Sequence, residues 1–243
     1  MIALIVSGGQ TDGQQLHQQI LQLRAQGGML IAADSGLQAL DRLIRAVEEN
    51  TSADGIHVKD PGSVVPEFLM PDVVVGDFDS VDPGVLDRYL YRGSIRFERH
   101  RPEKNETDTE LAFTIAQEAG VTDIILMGAT GTRLDHVLSN IHLLKAAMDR
   151  GLRCQLLDLH NRISLSDGRK VFVKTEESYP FISFVPLTME VRGITLTGFK
   201  YPLKDHDLTL GQECGLCVSN QLAAEEAVLD FASGLLLVIE SRD

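Results

Sequence analysis

The chain has 243 residues, 44% of them hydrophobic, enough for one large domain or two modest ones. Its 22 Lys+Arg stand against 35 Asp+Glu, and a net charge of −13 excludes the cationic footprint of a nonspecific nucleic-acid binder, so phosphate would have to be held by metal, backbone N–H groups and a few local cations. No stretch approaches the roughly 18 consecutive apolar residues of a membrane span, and Met1-Ile2-Ala3-Leu4 enters an apolar run without a basic leader; a cytoplasmic protein with no membrane or nucleic-acid partner is expected.

Up to residue 155, short apolar runs alternate with helical spacing, the pattern of a three-layer α/β/α domain on a parallel sheet. Residues 2–6 predict a strand ending on Ser7-Gly8-Gly9. Residues 29–33 predict a second, ending on Asp34-Ser35-Gly36, after which Leu37, Leu40, Leu43, Ile44 and Val47 mark a helix face. Residues 49–71, punctuated by Pro61-Gly62, Pro66 and Pro71, form an irregular insertion longer than compact α/β domains usually carry. Val73-Val74-Val75 then reads as a strand buried on both faces, and Gly76-Asp77-Phe78-Asp79-Ser80 leaves its carboxyl end, where ligand sites of such sheets lie. Two carboxylates this close repel unless a cation or proton sits between them, and oxygen-only ligation favours Mg²⁺ over zinc. The alternative for Asp77 and Asp79 is an Asx-turn opening a solvated loop.

In Pro102-Glu103-Lys104-Asn105-Glu106-Thr107-Asp108-Thr109-Glu110, Thr107 and Glu110 have capping-box spacing, so Asp108 sits in a first helical turn. There it either complements the helix dipole or turns inward to join Asp77 and Asp79, with Lys104 and the helix N–H groups facing phosphate. Residues 124–127 predict a strand that ends on Gly128-Ala129-Thr130-Gly131-Thr132-Arg133-Leu134-Asp135-His136. Its glycines permit close backbone approach, its threonines offer hydroxyls, and the Arg133 fork matches phosphate oxygens. The loop lacks the Gly-Lys-Ser/Thr ending of a P-loop and does not fit G-x-G-x-x-G. Leu134, Val137, Leu138, Ile141 and Leu144 continue as a helix that carries Asp135 and His136 in its first turn, His136 better suited to bonding a neighbouring loop than to acting as a base.

Beyond residue 155 the texture becomes short strands with turn signals at Ser166-Asp167-Gly168, Arg192-Gly193, Thr197-Gly198 and Ser233-Gly234, the pattern of a smaller β-sandwich. The expected domains are therefore 1–155 and 156–243. Cys214-Gly215-Leu216-Cys217 has no second pair and lies in this strand-rich region, so with Cys154 it reads as reduced and structural.

Taken together, Ala33-Asp34-Ser35-Gly36, Gly76-Asp77-Phe78-Asp79-Ser80, Thr107-Asp108 followed by Ala112, and the segment from Gly128 through Arg133-Leu134-Asp135-His136 resemble the motifs of the thiamine pyrophosphokinase family, in this order. Ser219-Asn220 matches that family's Ser-Asn element near the carboxyl end. The resemblance covers nearly the whole chain. It implies an α/β domain that binds ATP, a β-sandwich that completes a homodimer, and transfer of the terminal pyrophosphate of ATP to thiamine, giving thiamine diphosphate and AMP. It further implies Mg²⁺ on Asp77, Asp79 and Asp108, with Asp135 either adding to that shell or accepting the thiamine hydroxyl proton. Asp34, Ser35, Lys104, Thr107, Gly128, Thr130, Gly131, Thr132, Arg133 and His136 would serve the nucleotide, and Ser219, Asn220 and Gln221 would reach thiamine from the partner subunit.

The chain departs from the family pattern in four places. Ser35 and Thr132 stand where glycines are usual, tolerable if φ is negative there. Gln221 replaces a common glutamate, which removes a carboxylate that could face the thiazolium, and there is no tryptophan to stack on thiamine. Two rivals are a pyrophosphokinase for another heteroaromatic alcohol, such as a hydroxymethylpterin, and a nucleotide-binding regulator without turnover. A non-catalytic binder has no need of converging carboxylates, which argues against the second.

Overall fold

The computed structural model describes residues 1–48, 67–101 and 106–243. Lys104, and residues 49–66 of the expected insertion, lie outside the described residues. The chain divides into two compact units, Met1–Leu159 and His160–Asp243. A boundary at 155 would cut a strand, Arg153–Leu157, that belongs to the first unit.

The first unit is built on six parallel strands, β1 (Ile2–Val6), β2 (Met29–Ala33), β3 (Val73–Gly76), β4 (Arg96–Arg99), β5 (Asp123–Met127) and β6 (Arg153–Leu157), in the order β4-β3-β2-β1-β5-β6. Period-two alternation divides their side chains between two layers. Leu4, Val6, Leu30, Ala32 and Val74 meet Leu16, Ile20 and Leu23 of α1 (Gly13–Ala25) and Leu37, Leu40, Leu43 and Ile44 of α2 (Gly36–Glu48) in one core. α3 (Pro83–Leu90) adds Tyr89 to the same core. On the opposite face α4 (Asp108–Glu118) packs across β1, β2 and β3 and touches α5 (Leu134–Asp149), which lies on β6. Val73, Val74 and Val75 are buried to 1% exposure or less, as a strand covered on both faces requires.

A charged residue lies inside the buried stripe of α2. Asp41 is 3% exposed. Its Oδ1 accepts from the Tyr89 hydroxyl at 2.8 Å and from Arg88 at 3.0 Å, and its Oδ2 accepts from Arg45 at 2.7 Å. The network ties α2 to α3, the two helices that follow the Asp34 and Asp77 loops. Among the described residues, no helix is long and apolar enough to cross a membrane.

The second unit is a β-sandwich of two antiparallel sheets. One has the order β7 (Asn161–Ser166), β13 (Leu236–Ser241), β9 (Phe181–Pro186); the other has β11 (Leu203–Thr209), β10 (Glu190–Thr197), β12 (Glu226–Asp230), β8 (Lys170–Val173). Phe172, Phe184 and Phe199 pack edge to face between the sheets, with centroids 5.5 to 6.0 Å apart. Arg192-Gly193 is not the expected turn. It lies inside β10, where the register shifts between Val191 and Ile194 and Gly193 adopts φ +71°, so the glycine makes a bulge instead of a reversal. Burial pushes the Cys154 thiol up to about 12 and the Cys217 thiol up to about 11, which keeps both protonated at neutral pH.

Candidate active site

The strand order reverses direction at β1, flanked by β2 on one side and β5 on the other, and the loops leaving β1 and β5 open a crevice at the carboxyl ends of the strands. These loops lie backbone on backbone. Gly9 N–H donates to the Gly128 carbonyl at 2.8 Å and Gln10 N–H to the Thr130 carbonyl at 3.2 Å. A Cβ on Gly9 would fall 2.3 Å from the Thr130 oxygen; one on Gly128, which has φ +67°, would fall 2.2 Å from the Ser7 oxygen. The glycines therefore close a cleft of about 210 Å³, whose walls include Ser7, Gly8, Gly9, Thr130, Thr132, Arg133 and His136. From α5, Asn140 Nδ2 donates to the Ala129 carbonyl at 2.8 Å and fixes the loop from behind. Gly128→Ala is expected to lower stability by about 1–3 kcal/mol through φ strain and the Ser7 contact, read as a fall in the denaturant midpoint; an unchanged midpoint would show that the loops can separate freely.

The acidic residues gather beside this cleft because β2 and β3 are neighbours. Asp34 N–H donates to the Val75 carbonyl at 2.8 Å, and Asp34 itself has φ +47°. A Cβ on Gly76 would meet the Asp34 Cα at 3.2 Å, so glycine there lets the two strand ends close up. Phe78, with φ +66°, is buried edge to face against Phe97 at 6.1 Å. That anchor turns the chain so that Asp77 accepts from Asp79 N–H at 3.1 Å. Across the sheet, Thr107 caps α4 in a full capping box with Glu110, which places Asp108 in the first turn. Ser7 Oγ and the buried Thr109 Oγ1 are 3.2 Å apart and join this helix start to the β1 loop.

Carboxylate oxygens of Asp34, Asp77 and Asp108 all lie within 4.8 Å of one another. Asp34 Oδ1 is buried with no hydrogen-bond partner among the described residues, and its Oδ2 accepts from the Ser80 hydroxyl. The Asp77 charge, then burial and the charges of Asp34 and Asp108, raise the Asp79 pKa above the usual carboxylate value. An oxygen-only set that repels itself and holds an unpartnered buried oxygen fits a hard divalent cation such as Mg²⁺.

The sequence-predicted residues fall into distinct places. Asp77 and Asp108 converge, Asp79 stands beside them, and Asp34, expected at the nucleotide, lies within the acidic group. Asp135 does not join it. Its carboxylate, 65% exposed, accepts from Arg133 Nη2 at 2.5 Å, and that guanidinium holds the Asp135 pKa down at about 2. His136 Nε2 is 3.9 Å from the same carboxylate. Thr107 uses its hydroxyl as a cap. Ser7, Gly8 and Gly9, the small residues ending β1, line the cleft, and Ser80 and Asn140 join the site with little signal in the sequence beyond an asparagine among the apolar positions of α5.

In the second unit, Asn220 is 1% exposed and its side chain makes three hydrogen bonds: Oδ1 accepts from Tyr201 N–H at 3.0 Å and Gln221 N–H at 2.9 Å, while Nδ2 donates to the Tyr201 carbonyl at 2.8 Å. It holds the backbone beside Ser219, which has φ +57°, and Gln221. Lys200 Nζ donates to Gln221 Oε1 at 3.2 Å.

The sequence matches the family model of the thiamin pyrophosphokinase catalytic domain over residues 20–156 and that of the thiamin pyrophosphokinase vitamin B1 binding domain over residues 169–236. The chain belongs to the thiamin pyrophosphokinase family. It is 34% identical to the thiamine pyrophosphokinase of Bacillus subtilis (strain 168) over 175 residues, 72% of this chain and 80% of that protein. To thiamine pyrophosphokinase 2 of Arabidopsis thaliana it is 28% identical over 188 residues, 74% of this chain and 68% of that one. The crystal structure of the thiamine pyrophosphokinase from Bacillus subtilis is similar with a TM-score of 0.79 at 29% identity, covering 100% of both chains. That from Geobacillus thermodenitrificans gives 0.76 at 27% identity, covering 100% of this chain and 98% of the other. Within the thiamin pyrophosphokinase pattern, the two glycine replacements are accommodated: Ser35 and Thr132 both have negative φ.

Proposed function

We propose that this protein transfers the terminal pyrophosphoryl group of ATP to the hydroxyethyl oxygen of thiamine, giving thiamine diphosphate and AMP. The observation that carries this is the convergence of Asp34, Asp77 and Asp108 beside a glycine-walled cleft at the switch point of the sheet. Mg²⁺ held by these carboxylates, with Asp79 alongside, would neutralise charge on the transferring group and on departing AMP. The backbone N–H groups of the two loops and the remaining donors of Arg133 orient the phosphates for in-line attack. The thiamine oxygen bonds to the β-phosphorus, the bond from that phosphorus to the α,β-bridging oxygen breaks, and the hydroxyl proton leaves to solvent. A carboxylate held at about 2 is a weak base, so Asp135 acts by fixing Arg133.

Thiamine is received by Ser219 and Gln221 of a partner subunit, in a homodimer. An amide at 221 can still bond an aminopyrimidine. With tryptophan absent, Tyr201 supplies the ring: it is 55% exposed and its backbone is clamped by Asn220. Tyr201→Ala is expected to raise the thiamine KM about tenfold with kcat little changed, and Tyr201→Phe to restore it, consistent with a ring contact of about 1.4 kcal/mol; equal KM in all three proteins would remove Tyr201 from the pocket. The function is tested by incubating the protein with ATP, Mg²⁺ and either thiamine or a pterin alcohol. AMP with thiamine diphosphate supports the proposal. AMP formed only with the pterin indicates the other pyrophosphokinase, and no AMP with either indicates a binder without turnover.

A further inference from the structure

The β-sandwich contains a cavity of about 230 Å³ that shares no lining residue with the first unit's cleft or with residues 219–221. Two cations face it, Arg162 of β7 and Lys170 of β8, against one carboxylate, Glu240 of β13. The cations are poorly matched. Lys170 Nζ donates to the neutral Ser164 hydroxyl at 2.8 Å and lies 5.4 Å from the Phe172 ring centroid. The Arg162 guanidinium lies over the Tyr179 ring at 5.2 Å, and its Nε is buried with no hydrogen-bond partner among the described residues. Its pair with Glu240 is 3.8 Å long, beyond hydrogen-bonding distance. Withdrawing a cation from water is costly unless it is closely paired and hydrogen-bonded, and Lys170 meets only a neutral hydroxyl; the Arg162 side chain is 43% exposed, so part of it stays open to an incoming anion. Burial accordingly lowers the Lys170 pKa.

We propose that this cavity binds a small organic monocarboxylate, its carboxylate bridging Arg162 and Lys170 and its apolar body lying against Phe172 and Leu222. A single negative charge matches two cations already facing Glu240, whereas a dianion would exceed them. The guanidinium fork suits a planar carboxylate, and the aromatic wall suits a ring or short hydrocarbon.

The test is calorimetric titration of benzoate into the full-length protein at neutral pH and low salt, with thiamine at saturation to occupy the acceptor site. Saturable binding is expected, weakened at least about tenfold in Arg162→Met and in Lys170→Met, the loss that follows removal of one charge-assisted hydrogen bond. Glu240→Gln is expected to strengthen binding, because it removes the competing carboxylate; a purely structural network would give no such gain. If a methionine variant does not fold, the Glu240→Gln result decides. No saturable heat up to about 10 mM benzoate, affinity unchanged in both methionine variants, or weaker binding in Glu240→Gln would overturn the proposal.

Discussion

Asp77→Asn is expected to lower kcat at least about a thousandfold while leaving the fold intact, the equivalent of about 4 kcal/mol of lost transition-state stabilisation. The side chain stands at the end of β3, where an amide oxygen can still accept from Asp79 N–H, so the turn survives. What is lost is one of three carboxylates within 4.8 Å of one another. The same change has an opposite signature in the absence of divalent cation. There the carboxylates only repel one another, so the variant should melt no lower than the parent, and the parent alone should gain stability as Mg²⁺ is added. Asp135→Asn, by contrast, is expected to cost about tenfold and chiefly in the nucleotide KM, because it frees Arg133 without touching the acidic group. Equal losses in the two variants would place Asp135 within the acidic centre after all.

Asp41→Ala is expected to lower the stability of the first unit by roughly 3 kcal/mol, the low end for a broken buried ion pair because Arg45 is half exposed. It strands the hydroxyl of Tyr89, a residue with 0% exposure, and leaves Arg88 with Glu48 as its ion-pair partner among the described residues. Tyr89→Phe removes one bond from the same carboxylate and should cost only about 1 kcal/mol. Urea unfolding followed by circular dichroism reads both. A loss below about 1 kcal/mol in Asp41→Ala would mean that apolar packing alone holds α2 against α3.

Features set by local pattern were legible in the sequence. The unbroken apolar runs of β1, β2 and β3 could be read as buried strands, and capping-box spacing placed Asp108 at a helix start, because caps and periodicity are properties of adjacent residues. Features that depend on strand order were not. Asp34 enters the acidic group only because β2 lies beside β3, a pairing of residues about forty positions apart that no local signal encodes. Asp135 diverges for the opposite reason: Arg133, two residues away, captures it before any distant partner can. Asn220 stands out by motif, but its hydrogen bonds to the Tyr201 backbone, nineteen positions away, are visible only in the fold. Asp41 did leave a trace, as a carboxylate on the apolar stripe of Leu37, Leu40 and Ile44, but its partners lie on α3. Arg192-Gly193 shows the limit of turn signals, since a glycine with positive φ serves a bulge as readily as a reversal.

The most direct test is to follow ³¹P resonances while the protein acts on ATP, Mg²⁺ and thiamine. AMP and thiamine diphosphate should appear in equal amounts, with neither ADP nor thiamine monophosphate as an intermediate. Accumulation of ADP with thiamine monophosphate, or loss of ATP at the same rate without thiamine, would contradict pyrophosphoryl transfer at this site.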